Sequence, residues 1–324
     1  VFSKEIGTTP SKELYKFFDK EGNTLVLRPD FTPSIARCAA KYYMDETQPI
    51  RFCYKGNTFI NAGSLQGKLK EITQMGAELM NDDSVEADAE MIALVVESLL
   101  QTGLKEFQLS IGEVEYFKGL CEEAGLSTET AEDLRELISG KNLFGAEELL
   151  KERNVCIEER ERLLKVSDFF GAVEILDEAE NQVHNETSKQ AVLHLKKLYE
   201  VLKAYGVEKY ISFDLGMLSK YHYYTGVIFK AFSYGVGDAI VKGGRYDKLL
   251  GCFGKSAPAI GFAVVIDDLL LSLERQNGTY QEKPVVEKIT YTESNYTEKL
   301  KTAQALRSEG KRVALIPESE RTEV

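Results

Sequence analysis

Gln74 and Glu78 stand four residues apart, so an amide and a carboxylate can project from neighbouring positions of one element. Asp30 follows Pro29 and offers a second carboxylate, although an acid at that place also suits the cap of a helix beginning near Pro33. Tyr223 and Tyr224 are adjacent, and on a strand only one of the two faces a given side. In Gly243-Gly244-Arg245-Tyr246-Asp247 the glycines let backbone approach a small ligand closely, and the guanidinium either holds an anion or pairs with Asp247. Other chemistries find no support. The cysteines Cys38, Cys53, Cys121, Cys156 and Cys252 form no CxxC pair, and His184, His194 and His222 lack metal-ligand spacing, so neither a metal nor a cofactor is expected. Ser219 has no base near it in sequence, and His222 beside the tyrosines reads as a surface or satisfied residue.

These residues belong to a chain of ordinary globular composition. It has 324 residues, 43% hydrophobic and 28% charged, enough for a large domain with a small companion. With 52 acidic against 40 basic residues the net charge is −12, which opposes nucleic-acid binding by the molecule as a whole. The longest apolar candidate, 257–273, is interrupted by Asp267 and Asp268, so no membrane span is expected. The start at Val1 is not a signal peptide, and the lack of an initiating methionine leaves room for residues before it. Scattered, odd-numbered cysteines suit free thiols in the cytoplasm.

The pattern predicts an α+β fold. Strands flank a turn at 20–23, and a helix starts with Thr32 as N-cap and Pro33 at its first position. Residues 50–60 and a stretch leading into 73–78 form a hairpin around a polar tip at 61–67. Val85, Ala89, Ile92, Val96 and Leu99 mark an amphipathic helix over 84–100, and Phe107, Leu109 and Ile111 a strand. A proline-free, Glu/Lys/Leu-rich stretch, about 117–208, reads as successive helices inserted into an antiparallel sheet. Strands are expected at 210–214, 223–232, 238–241 and 261–266, the last running into a helix at 267–275. Residues 1–284 form the core on this reading, and 285–324 a short and incomplete α/β unit.

Several segments in order resemble the catalytic core of histidyl-tRNA synthetase, a class II synthetase. Leu27-Arg28-Pro29-Asp30-Phe31-Thr32 resembles its LRPExT segment, and Phe59 to Glu78 aligns with motif 2 and the glutamine-and-glutamate segment after it. Tyr223-Tyr224-Thr225-Gly226 is similar to the tail of RGLDYY, Gly243 to Asp247 to GGRYD, and Ala259 to Ala263 to the opening of motif 3. The resemblance places Asp30, Gln74, Glu78 and Tyr224 at a histidine pocket, with Tyr223 and Arg245 as further candidates. Carboxylates and an amide suit an α-ammonium, and a carboxylate with a hydroxyl suits an imidazole.

The departures decide the expected function. Ile60 and Ala62 stand for the arginine and glutamate of FRxE, Ser219 for the catalytic arginine of RGLDYY, and Asp268 for the ATP-holding arginine of motif 3. Three lost charged contacts, each ~1.5–3 kcal/mol, remove roughly 5–9 kcal/mol, or about four to six decades of binding or rate. Only Lys68 and Lys70 keep the motif 2 loop basic. A synthetase-like core that lost its phosphate contacts looks like the regulatory subunit of ATP phosphoribosyltransferase, and Tyr54 to Phe59 with Leu65-Gln66-Gly67 fits that family better than a synthetase. The resemblance implies a non-catalytic chain that assembles with a short catalytic subunit into a hetero-octamer, is needed for its activity, and confers inhibition by L-histidine, without tRNA or membrane binding. The alternatives are a divergent histidyl-tRNA synthetase and a stand-alone histidine-sensing module.

Overall fold

A computed structural model describes residue 9 and residues 11–61, 69–218, 223–277 and 286–318. Two units divide the chain, Val1–Gln276 and Asn277–Val324.

The first unit opens with a small antiparallel hairpin, β1 (Lys16–Phe18) and β2 (Thr24–Val26), turning through Gly22 in the left-handed region. Helix α1 (Thr32–Tyr42) then precedes the long strands β3 (Ile50–Phe59) and β4 (Glu71–Met80). The expected N-cap at Thr32 is corrected: Thr32 is already helical and Phe31 precedes it. Its backbone N–H donates to Asp30 Oδ1 at 3.3 Å, so Asp30 does the local capping and the Thr32 hydroxyl is released for another partner. Helix α2 (Val85–Gln101) starts where the apolar spacing predicts, with Ser84 Oγ accepting from Ala87 N–H. Strand β5 (Phe107–Glu113) leads into the insertion: α3 (Val114–Glu123), α4 (Thr128–Ser139), α5 (Leu143–Glu152), α6 (Ile157–Lys165), β6 (Phe170–Gly171), α7 (Ile175–Asn181) and α8 (Glu186–Ala204). The sheet resumes with β7 (Ile211–Asp214), β8 (Val227–Ser233), β9 (Val241–Arg245) and β10 (Ala259–Val265), and α9 (Ile266–Asn277) closes the unit.

Eight strands form one sheet in the order β3-β4-β10-β9-β8-β5-β7-β6. The expectation of an antiparallel sheet is corrected at one pairing. Strands β5 and β7 run parallel, through Leu109–Ile211 and Ile111–Phe213. Parallel neighbours need a long crossover, and the helical insertion is that crossover. It also donates β6 to the edge of the sheet, antiparallel to β7.

Two further boundaries move. Residues 223–226 are not strand, since β8 begins at Val227. The strand expected at 238–241 is Val241–Arg245, so the two glycines and the arginine lie within a strand.

Register sorts the faces, because directly paired residues point the same way. One line of partners runs Phe52, Glu78, Gly261, Gly244, Ile228, Gly112, and the next runs Tyr54, Gly76, Ala263, Lys242. This face carries a stripe of residues with little or no side chain. The opposite face presents Leu79, Ile260, Phe262 and Phe229 to the large core that includes Ile92, Val96 and Leu99 of α2 and Leu195 and Leu198 of α8. A smaller core packs Ala36 and Ala39 of α1 against Ile50, Met80, Tyr246 and Leu250 on the glycine-rich side.

The second unit is a parallel pair, β11 (Glu287–Tyr291) and β12 (Val313–Pro317), joined by α10 (Tyr296–Ser308) with Ala303 buried.

A Cβ at Gly76 would run into the Phe262 carbonyl and the Tyr54 ring, whereas one at Gly237 meets nothing within 4 Å. Gly76→Ala is therefore expected to cost about 1–3 kcal/mol in urea unfolding, with Gly237→Ala close to neutral. Equal behaviour of the two would contradict the face assignment.

Candidate ligand-binding site

The glycine-rich face becomes a site because aromatic rings lie in the space the missing side chains leave. Phe31 covers Gly56, Tyr54 covers Gly76, and Tyr224 covers Gly244. Phe31 and Tyr54 stack at 4.8 Å between centroids, and the Arg28 guanidinium sits 4.2 Å from the Phe31 ring centre. A Cβ at Gly261 would occupy the position of the Glu78 carboxylate, so Gly261 makes room for that acid.

Glu78 is the centre of the arrangement. It is 1% exposed. Thr32 Oγ1 donates to its Oε1 at 2.8 Å and Tyr246 OH donates to its Oε2 at 2.5 Å. Burial raises its pKa to about 8, against the two hydroxyl hydrogen bonds, and the nearby Asp30 carboxylate adds to the rise. Asp30 is itself held above the usual carboxylate range by burial, opposed by the Thr32 and Phe31 backbone N–H groups. Tyr54 and Tyr246 are raised for the same reason, burial first and then the charge on Glu78. Among the described residues Gln74 Oε1 is buried with no hydrogen-bond partner, and Tyr54 OH is buried with only the Thr32 hydroxyl beside it and no well-formed hydrogen bond. Buried polar atoms without partners are uncommon in folded proteins and mark positions a ligand can satisfy.

The six candidates divide. Asp30, Gln74, Glu78 and Tyr224 all lie on or beside this trough. Tyr223 and Tyr224 are not separated by strand alternation, because they lie in the loop before β8. Their rings meet at 4.7 Å and both pack against the smaller core, Tyr223 edge-on to Tyr246 at 6.1 Å. Arg245 does not join them. It lies on the other face of β9, where Nε and Nη2 donate to Asp88 Oδ1 at 2.9 and 2.5 Å and Nη1 donates to Asp82 O and Asp247 Oδ1. The reading of Gly243 and Gly244 as a close backbone approach to ligand is also corrected: they admit the rings of Phe229 and Tyr224.

At the phosphate end, Ile60 is half-buried and its N–H donates to Lys70 O at 2.9 Å. Ala62, Lys68, Ser219 and His222 lie outside the described residues, as does the hairpin tip. Helix α9 carries Asp267 and Asp268 in its first turn, and Asp267 Oδ2 accepts from Thr73 N–H at 2.8 Å. Two carboxylates thus occupy the helix end whose dipole would attract a phosphate.

Sequence reasoning missed the network behind Arg245. Asp88, fully buried, also meets His194 Nε2 at 3.1 Å, and His194 Nδ1 lies 3.1 Å from Glu113 Oε2. Burial lowers the His194 pKa, but the hydrogen bonds and charges of Asp88 and Glu113 outweigh it and bring it to about 9. Thr32, Tyr54 and Tyr246 were missed as well. The available signal was Asp88 itself, a charge in the apolar stripe of α2 between Val85 and Ile92.

The class of protein follows from this fold and from its comparisons. The Histidyl-tRNA synthetase family model matches residues 2–269. A solved structure described as an ATP phosphoribosyltransferase regulatory subunit/histidyl-tRNA synthetase, from Bacillus halodurans C, is similar at a TM-score of 0.83 and 34% identity, covering 99% of this chain and 82% of that one. A histidine–tRNA ligase subunit from Alicyclobacillus acidocaldarius is similar at a TM-score of 0.71 and 25% identity over 84% of each chain. The core is therefore of the histidyl-tRNA synthetase type within class II. Among curated relatives, the ATP phosphoribosyltransferase regulatory subunit of Acetivibrio thermocellus is 42% identical over 96% of this chain and 74% of its own length. The chain belongs to the ATP phosphoribosyltransferase regulatory subunit family.

The histidine network carries a pH signature. Its folded pKa of about 9 exceeds the ordinary 6.5, so its contribution is full below about pH 6.5 and lost as pH rises through 9. The shift corresponds to something on the order of 2–3 kcal/mol. The stability gap between wild type and His194→Gln should be widest at pH 6 and narrow by pH 9.5 in chemical unfolding. A gap independent of pH would show that His194 is not charged in the folded chain.

Proposed function

We propose that this chain is a non-catalytic regulatory subunit, that it assembles with a short catalytic ATP phosphoribosyltransferase chain into a hetero-octamer, and that L-histidine is the effector held in the Glu78 trough. One contrast carries this reading. Among the described residues, the amino-acid end of the site keeps buried acceptors without cations of their own, while the phosphate end presents Ile60 and the carboxylates of α9. Acceptors suit the α-ammonium and the imidazole of histidine. Activation of an amino acid by ATP needs preorganised cations at the phosphates instead. Family membership supports the pairing with a catalytic subunit, and the divergent-synthetase alternative gains nothing from the site. Five free cysteines fit a reducing cytoplasm. Regulation then requires that histidine bind two states of the complex with different affinity, a coupling of about 1–3 kcal/mol being typical.

Calorimetric titration of L-histidine into the isolated chain should give saturable heat that Glu78→Ala weakens by at least tenfold, as expected for losing ~1.4 kcal/mol or more. Co-purification with a short catalytic chain should restore its phosphoribosyltransferase activity, and histidine-dependent ATP–pyrophosphate exchange should be absent. Binding unchanged in the variant would move the effector site elsewhere, and measurable exchange would revive the synthetase reading.

A further inference from the structure

Glu78 is buried between two hydroxyls and a second carboxylate, and among the described residues no cation contacts it. From α1 it meets the Thr32 hydroxyl, and from the segment after β9 the Tyr246 hydroxyl. Asp30, ahead of α1, brings a second carboxylate toward it, and Tyr54 of β3 and Tyr224 of the loop before β8 bring further hydroxyls. Strand β10 contributes Gly261, which has no side chain. The nearest guanidinium along β9, Arg245, is turned to the other face and committed to Asp88. The other, Arg28, is exposed, lies over the Phe31 ring and donates to Asn57 O. A carboxylate so buried, with no counter-ion among the described residues, is pushed toward the neutral acid, because burial outweighs the two hydroxyl hydrogen bonds that favour the charged form.

We infer that a cationic nitrogen ligand enters this trough in exchange for the proton of Glu78. The O–H bond of the acid breaks, its proton passes to water, and the ligand, arriving already protonated on nitrogen, becomes the missing counter-ion of the carboxylate. Tyr54 OH and the unpartnered Gln74 Oε1 are further buried atoms such a ligand can engage. The exchange rests on the effector reading above and adds to it a direction: the trough is an acid–base sensor as well as an amino-acid sensor, and effector affinity rises with pH across the range in which Glu78 is protonated in the empty chain. At neutral pH the acid form predominates, since burial holds Glu78 near 8.

Two measurements on the full chain test this. Without ligand, the fold favours the acid form, so the contribution of Glu78 to stability is full below about pH 4.5 and lost as pH rises through about 8. Glu78→Gln, a neutral mimic of the acid, should then gain several degrees in unfolding midpoint relative to wild type between pH 5 and pH 9. A constant difference across that range overturns the inference. With L-histidine, calorimetry at pH 7 in buffers of different ionisation heat counts protons released. The wild type should release about one more proton per ligand than Glu78→Gln. Equal proton counts with binding to both chains leave the effector reading standing and overturn the exchange. No binding to either chain removes the effector reading, and the exchange with it.

Discussion

Asp88 carries a buried charge between Arg245 and His194, and this contact fixes two layers of the molecule to each other. Arg245 belongs to the sheet, Asp88 to α2 and His194 to α8 of the insertion. The far side of His194 meets Glu113 at the end of β5, whose next residue donates from Val114 N–H to Gly226 O. Thr225 N–H in turn donates to Arg245 O, so the chain of contacts closes on itself around the loop that carries Tyr224. Removing one partner leaves a buried charge uncompensated, a loss of about 3–5 kcal/mol in comparable cases. The site therefore depends on a set of ions that no ligand touches.

Strand β9 joins the two halves of this design. Gly244 and Tyr246 serve the trough, Gly244 by admitting the Tyr224 ring and Tyr246 by its hydrogen bond to Glu78. Arg245 between them serves the core. Alternation at the end of β9 and in the residue after it thus places a recess lined by aromatic rings and polar groups on one side and an ionic clamp on the other. The recess differs from an ATP site in what faces it: hydroxyls, an amide and acids at one end, and an aliphatic residue with an acidic helix terminus at the other.

Much of this was legible from residue order. The apolar steps of α2 and the hairpin of β3 and β4 follow directly from periodicity, and the segments around Asp30, Gln74, Glu78 and Tyr224 mark the trough. Arg245 was legible as a charge but not as a direction, because its side depends on the residue at which β9 starts, and a strand expected to end at 241 leaves that residue outside it. Tyr223 and Tyr224 failed for a related reason: the alternation rule holds only inside a strand, and β8 begins later. Thr32 was taken for a cap because its hydroxyl partner lies 46 residues away in Glu78, beyond any local rule. His194 looked isolated until α8 was folded against α2 and β5.

The parallel pairing of β5 and β7 has a consequence for how this chain can vary. Two antiparallel strands can be rejoined by a tight turn when the segment between them is lost, but β5 and β7 are parallel neighbours, so the end of β5 and the start of β7 lie at opposite ends of the pair. A shortened insertion must still span the length of a strand, and it would have to replace the imidazole that neutralises Asp88 and Glu113. Helix α8 is thus coupled to the sheet both by the crossover it completes and by the His194 contacts to Asp88 and Glu113.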